Sequence, residues 1–159
     1  FGCRIIVYDP SLSQADTELL GVELYTLDEV FALSDIVSLH APLLATTRGM
    51  IGTAHLALLH DGAILLNTAR AHLVDEAALL RELQSGRILA ALDVFHEEPL
   101  PAESPLLTLP NVILSPHAGA LTRETLFKQG QMMLDEIQRF LRGEPLAYEI
   151  FPDQLPNMA

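Results

Sequence analysis

Three polar side chains stand at the ends of apolar runs or just beyond them. Arg70 closes Leu65-Leu66-Asn67-Thr68-Ala69-Arg70, Glu98 follows Asp93-Val94-Phe95-His96-Glu97, and His117 follows Ile113-Leu114-Ser115-Pro116. A guanidinium donates in a planar fork and stays charged, which suits a carboxylate. An imidazole exchanges protons near neutral pH, and a neighbouring carboxylate fixes its tautomer and stabilises its protonated form. If the apolar runs are strands of one parallel sheet, all three groups reach the edge where open α/β sheets bind ligands. On residue types alone, an exposed loop arginine and a turn histidine after Ser-Pro satisfy the same pattern.

The elements that must position these groups alternate along the chain. Strand signals fall at 3–9, 36–40, 63–67, 88–94 and 112–115. Pro10 and the buried apolar character of the later runs support that reading. Helical signals lie between them. One follows Ser13 and stops at Gly21, and Thr26-Leu27-Asp28-Glu29 is a capping box for a helix to Leu33. Others run over 53–59 and 75–85, the latter stopped by Gly86. Thr122 caps the longest helix, where Leu126, Met133, Leu134, Ile137, Phe140 and Leu141 recur at helical spacing before Gly143 ends it. Strands separated by helices predict an α/β fold, a doubly wound parallel sheet with helices on both faces.

Half of the 159 residues are hydrophobic and 19% are charged, a composition that forms a packed core. The net charge of −12, with nine Lys and Arg, opposes binding to nucleic acid or to an anionic membrane. No apolar run reaches the ~18 residues of a membrane span. Cys3 is the single cysteine, and such usage fits a reducing, cytoplasmic compartment. His55, His60, His72 and His96 lack metal-ligand spacing, so no metal site is expected.

The succession Tyr8-Asp9-Pro10, Leu39-His40-Ala41-Pro42-Leu43, Asn67-Thr68-Ala69-Arg70, Ala91-Leu92-Asp93-Val94-Phe95…Glu98-Pro99-Leu100 and Pro110-Asn111-Val112-Ile113-Leu114-Ser115-Pro116-His117 resembles the D-isomer-specific 2-hydroxyacid dehydrogenases. The resemblance implies a Rossmann-like NAD-binding domain over 1–147, with 148–159 a tail returning toward a second, substrate domain. It implies NAD as cofactor and a small 2-hydroxy or 2-keto acid as substrate. A homodimer is implied as well. No glycine-rich phosphate loop precedes the run at 3–9, so the first strand of the fold is expected to be missing. That strand lies in the middle of the 3-2-1-4-5-6 order, and its loss would split the sheet into two parts.

Residue by residue, the resemblance makes Arg70, Glu98 and His117 catalytic. Arg70 would hold the substrate carboxylate, His117 would carry the proton, and Glu98 would hold His117. Glu97 competes for that last role, but the family places its carboxylate immediately before the proline. Asp9 would accept the ribose hydroxyls and repel a 2′-phosphate, favouring NAD over NADP; a strand-ending turn residue fits the same place. Ala41 and Pro42 would form a wall against the cofactor. Thr68, Ala69, Arg70, His117 and Gly119 would also line it. Asp93 would fix the nicotinamide carboxamide or, on the plainer reading, cap the turn that follows. One departure is Ala71, where the family has glycine; a position needing positive φ would be strained there. An NADH-sensing corepressor-like binding module and an inactive dehydrogenase fragment share these residues.

Overall fold

The computed structural model describes residues 2–152 and 154–155, so Phe1, Asp153 and 156–159, the last of them part of the expected tail, lie outside the described residues. The elements are β1 (Ile6–Val7), α1 (Gln14–Leu20), β2 (Glu23–Leu24), α2 (Leu27–Leu33), β3 (Ile36–Leu39), α3 (Thr53–Leu58), β4 (Ile64–Asn67), α4 (Glu76–Gln84), β5 (Leu89–Leu92), β6 (Val112–Leu114) and α5 (Arg123–Arg142). Short 3-10 turns cover Ala71–Leu73 and Pro105–Thr108.

All strand pairs are parallel, and the strands form two sheets: β1-β2, and β3-β4-β5-β6. Among the described residues the two sheets are not hydrogen-bonded to each other. The sequence reading lacks β2, a two-residue strand that pairs Ile6 with Glu23 and Val7 with Leu24. So short a partner also limits β1, which is narrower than the run at 3–9. Arg4 fastens the pair, donating from Nε and Nη2 to the two Glu23 oxygens at 2.7 Å each and from Nη2 to the Tyr25 hydroxyl at 2.6 Å.

Local chemistry sets the helix ends. Ser13 and Thr26 accept the amides of Asp16 and Glu29, whose carboxylates return to the cap amides. Gly21 and Gly143 close α1 and α5 in the left-handed conformation. Arg87 ties the end of α3 to α4: it donates to the Leu59 and Leu56 carbonyls and meets Glu82 at 2.8 Å.

One face of the larger sheet carries the core. Val37, Leu39, Leu65, Ala90 and Leu92 pack beneath Phe31 of α2, Leu56 of α3 and Ala78, Leu79 and Leu83 of α4. Neighbouring positions point to the opposite face because side chains alternate along a strand. There Ile36, Leu89 and Ile113 are 55%, 42% and 73% exposed. No residue of α5 is buried, and the apolar stripe from Leu126 to Leu141 is exposed. Beyond α5 the chain folds back at Ala147 and Tyr148, whose amides donate to Glu136.

Candidate active site

β4 delivers the Arg70 loop. Its last residue, Asn67, is in register with Leu39 and Leu92 on the packed face and is 2% exposed. The Asn67 Oδ1 accepts the Ala69 amide at 3.1 Å, and Nδ2 donates to the Arg70 carbonyl at 3.0 Å. These bonds hold Arg70 in an extended backbone conformation with its side chain exposed, Nη1 donating to the Ala69 carbonyl at 2.8 Å. Ala71 enters the 3-10 turn and its side chain is buried. Among the described non-glycine residues only His117 has positive φ, so the strain feared at Ala71 is absent.

β5 delivers two carboxylates. The Asp93 amide donates to the Asn67 carbonyl at 3.0 Å, and the Asp93 side chain is buried. Its Oδ1 accepts the Ala118 amide and its Oδ2 the Gly119 amide, both at 2.9 Å. Burial pushes the Asp93 carboxyl up, but the Ser115 hydroxyl and the two amides outweigh it, and the group stays below the usual range. Farther along, Glu98 Oε1 accepts the Phe95 amide at 2.9 Å.

β6 brings His117 to Glu98. The Ser115 amide continues the ladder by donating to the Leu92 carbonyl at 2.9 Å. The His117 amide then donates to the Ser115 carbonyl at 3.0 Å, and His117 turns to φ 52°. Its Nδ1 lies 2.7 Å from Glu98 Oε2. The His117 contact, then the Phe95 amide, holds the Glu98 carboxyl below its ordinary range. With Nδ1 engaged, Nε2 is the nitrogen left to exchange a proton with a ligand. Glu98 thus meets His117, as the family order implied for it over Glu97.

The structure brings Asp93, Glu98, His117 and Gly119 together at the carboxyl ends of β5 and β6, and Arg70 stands on the neighbouring β4 loop, bonded within that loop to Asn67 and Ala69. Thr68 is exposed in the Arg70 loop, while Ala41 and Ala69 pack against the core. The Pro42 carbonyl accepts the Thr47 hydroxyl at 2.6 Å. His40 contacts Ser38 Oγ at 2.9 Å. Asp9 follows β1 of the smaller sheet, where its Oδ1 accepts the Ser11 amide and hydroxyl at 2.8 and 2.6 Å. Asn67 was the residue that sequence reasoning passed over. Its signal was a polar residue inside an apolar strand, since such a side chain must find partners once buried.

The remaining histidines hold structure. His55 accepts the Gly52 amide and faces Asp28 at 3.5 Å, and His60 meets Asp35 at 3.2 Å. His72 and His96 lie with ring centroids 4.5 Å apart and planes tilted by 39°, and burial, then His96, lowers the His72 pKa. Among the described residues no three His, Cys, Asp or Glu side chains gather as a metal site, and no helix is long and apolar enough to cross a membrane.

Parallel strands in βαβ order with polar groups at their carboxyl ends define an open α/β domain of the dinucleotide-binding class. A family model, the NAD-binding domain of the D-isomer specific 2-hydroxyacid dehydrogenases, matches residues 1–119, and the chain belongs to that family. It is 46% identical over 146 residues to a D-3-phosphoglycerate dehydrogenase of Methanocaldococcus jannaschii, covering 91% of this chain and 28% of the relative. A glyoxylate reductase of Korarchaeum cryptofilum is 44% identical, with 91% and 44% covered. The holo form of Rhodotorula graminis D-mandelate dehydrogenase superposes with a TM-score of 0.82 at 32% identity, over 94% of this chain and 45% of that one. D-lactate dehydrogenase with NAD+ from Lactobacillus jensenii gives 0.80 at 30% identity, over 94% and 49%. The chain therefore spans less than half the length of each of these relatives.

Proposed function

We propose that the intact protein is an NAD-linked oxidoreductase that interconverts a small D-2-hydroxy acid and its 2-keto acid. The observation that carries this reading is the 2.7 Å contact between His117 Nδ1 and Glu98 Oε2, which leaves Nε2 for the substrate oxygen. In the oxidative direction His117 Nε2 takes the hydroxyl proton, and in reduction it returns one to the carbonyl oxygen. Glu98 keeps the imidazole in the required tautomer and stabilises its charged form. Positioned acid/base catalysis of this kind contributes typically ~10²–10⁴ in rate. Arg70 binds the substrate carboxylate or carbonyl oxygen, its guanidinium leaving the Ala69 carbonyl to do so.

The residues present suit the cofactor. Nothing in the described residues bonds the second oxygen of Asp9, which is able to accept ribose hydroxyls and repel a 2′-phosphate. Gly119 lets the Asp93 carboxylate lie against the backbone after His117, and Ala41, Pro42, Thr68 and Ala69 follow the carboxyl ends of β3 and β4, where a cofactor would lie. Asp93 spends one site of each oxygen on an amide and keeps capacity for a carboxamide. When bound, NAD supplies or accepts the hydride at nicotinamide C4. Residues 1–147 form the cofactor half on this reading, and 148–159 lead toward a substrate domain. A cytoplasmic homodimer completes it, which the exposed Cys3 and the uncovered face of α5 support.

The test is NADH oxidation by the intact protein across a panel of 2-keto acids beginning with glyoxylate. Turnover that disappears in H117A is the expected result. NADH binding without turnover on any acid would overturn the enzyme reading in favour of a cofactor-sensing module.

A further inference from the structure

We infer that Asn67 is the positioning residue that fixes Arg70 and joins its loop to the strand bearing Asp93, an inference that rests on the function proposed above. Three hydrogen bonds meet at this one buried residue. Its carbonyl accepts the Asp93 amide, its Oδ1 the Ala69 amide, and its Nδ2 serves the Arg70 carbonyl. The two side-chain bonds have opposite polarity, so they require a group with an acceptor and a donor side by side. A primary amide is such a group; a carboxylate offers acceptors only, and leucine of similar volume offers neither.

The consequence for the site is geometric. Arg70 has an extended backbone at the mouth of the 3-10 turn, and the Asn67 amide spans the loop from residue 67 to residue 70. Without it the Ala69 amide and the Arg70 carbonyl lose their partners, and the loop turns to find others. An anchoring guanidinium acts through its placement, and a displacement of ~1 Å costs roughly 10²-fold in rate. Asn67 touches neither substrate nor cofactor on this account and acts wholly through Arg70.

Asn67→Leu, Arg70→Ala and the double variant of the intact protein form the test. N67L is expected to raise the KM for glyoxylate about tenfold or more and to weaken NADH binding by a smaller factor, because the guanidinium is the anchor while Thr68 and Ala69 of the same loop only line the cofactor. In the R70A background N67L is expected to add less than about twofold, since coupled residues are non-additive. An equal N67L effect in both backgrounds, or a parallel loss of NADH binding, would overturn the inference and leave Asn67 a structural residue only. Should N67L not fold, N67D, which loses the donor and keeps an acceptor, carries the same cycle. A wild type without turnover would sink the dehydrogenase reading, and amide exchange would then decide the role of Asn67. Faster exchange at Ala69 in N67L with no change at Ala118 supports the clamp; unchanged exchange at Ala69 overturns it.

Discussion

The Gly119 amide lies 2.9 Å from Asp93 Oδ2, and a β-carbon built on Gly119 would stand at the same 2.9 Å from that oxygen. The carboxylate can reach the backbone after His117 because this residue has no side chain. Space rather than φ requires glycine here, since its backbone is outside the left-handed region. Asp93 thereby holds the two amides that follow the histidine, and the histidine turn is fixed from below.

Gly119→Ala should therefore disturb the turn without breaking the fold. Its methyl must push the buried carboxylate away, and loss of that bond is expected to cost about 1–3 kcal/mol. Urea unfolding of the intact protein checks this, and kcat should fall more than KM rises. An unchanged midpoint would mean that Asp93 gives way freely.

His117 at φ 52° suggests a second comparison. A left-handed L-residue stores about 1–2 kcal/mol, and glycine adopts the conformation freely at a smaller entropic cost. H117G and H117A should both lose turnover, with H117G the more stable by about 1 kcal/mol. Thermal unfolding of the pair decides, and equal stability would place the strain elsewhere.

Asp93 should also leave a trace in the acid limb of stability. Its folded pKa is held down, so its contribution is present in full above the ordinary carboxylate range. That contribution is lost as pH falls from there through the lowered folded value. The stability gap between wild type and D93N is thus expected to be flat from about pH 5 to 8 and to close as pH drops below about 4. Denaturant titrations at several pH values measure it, and a gap that widens in acid would contradict the assignment.

Arg70 and Glu98 should separate kinetically. Lysine at 70 keeps the charge and loses the fork, so R70K is expected to raise KM for the 2-keto acid about tenfold, one good charge-assisted bond. E98Q keeps the shape and loses the charge that stabilises the protonated imidazole, so kcat is expected to fall about 10²-fold with KM nearly unchanged. Steady-state kinetics on both variants test the division of labour, and the same KM-against-kcat pattern in both would refute it.

Much of this arrangement was legible in the sequence because local chemistry dictates it. The capping boxes at Ser13 and Thr26, the glycine stops and four apolar strands of the larger sheet depend on near neighbours in the chain. β2 was not legible, since Glu23–Leu24 is a strand only because Ile6–Val7 lies beside it. The period of α5 marks its apolar face without saying what covers that face. The close approach at Gly119 joins residues 26 apart in the chain, and no spacing rule encodes it; the Asn67 side chain bonds residues only two and three ahead, a local pattern open to asparagine in many turns. Ala71 shows the reverse: a family exception suggested strain, and an ordinary 3-10 turn removed it.

The bare face of the larger sheet has a consequence for how the 159-residue chain behaves in solution. Ile36, Leu89 and Ile113 present apolar surface there, while the whole molecule carries a charge of −12. Like charge keeps copies apart at low ionic strength, where the screening length is about 30 Å at 0.01 M. At 1 M it shrinks to about 3 Å, and the attraction between apolar faces is then unopposed. Salt, which ordinarily weakens polar association, is therefore expected to promote self-association of the 159-residue chain, and sedimentation at about 0.01 M and about 1 M salt checks it.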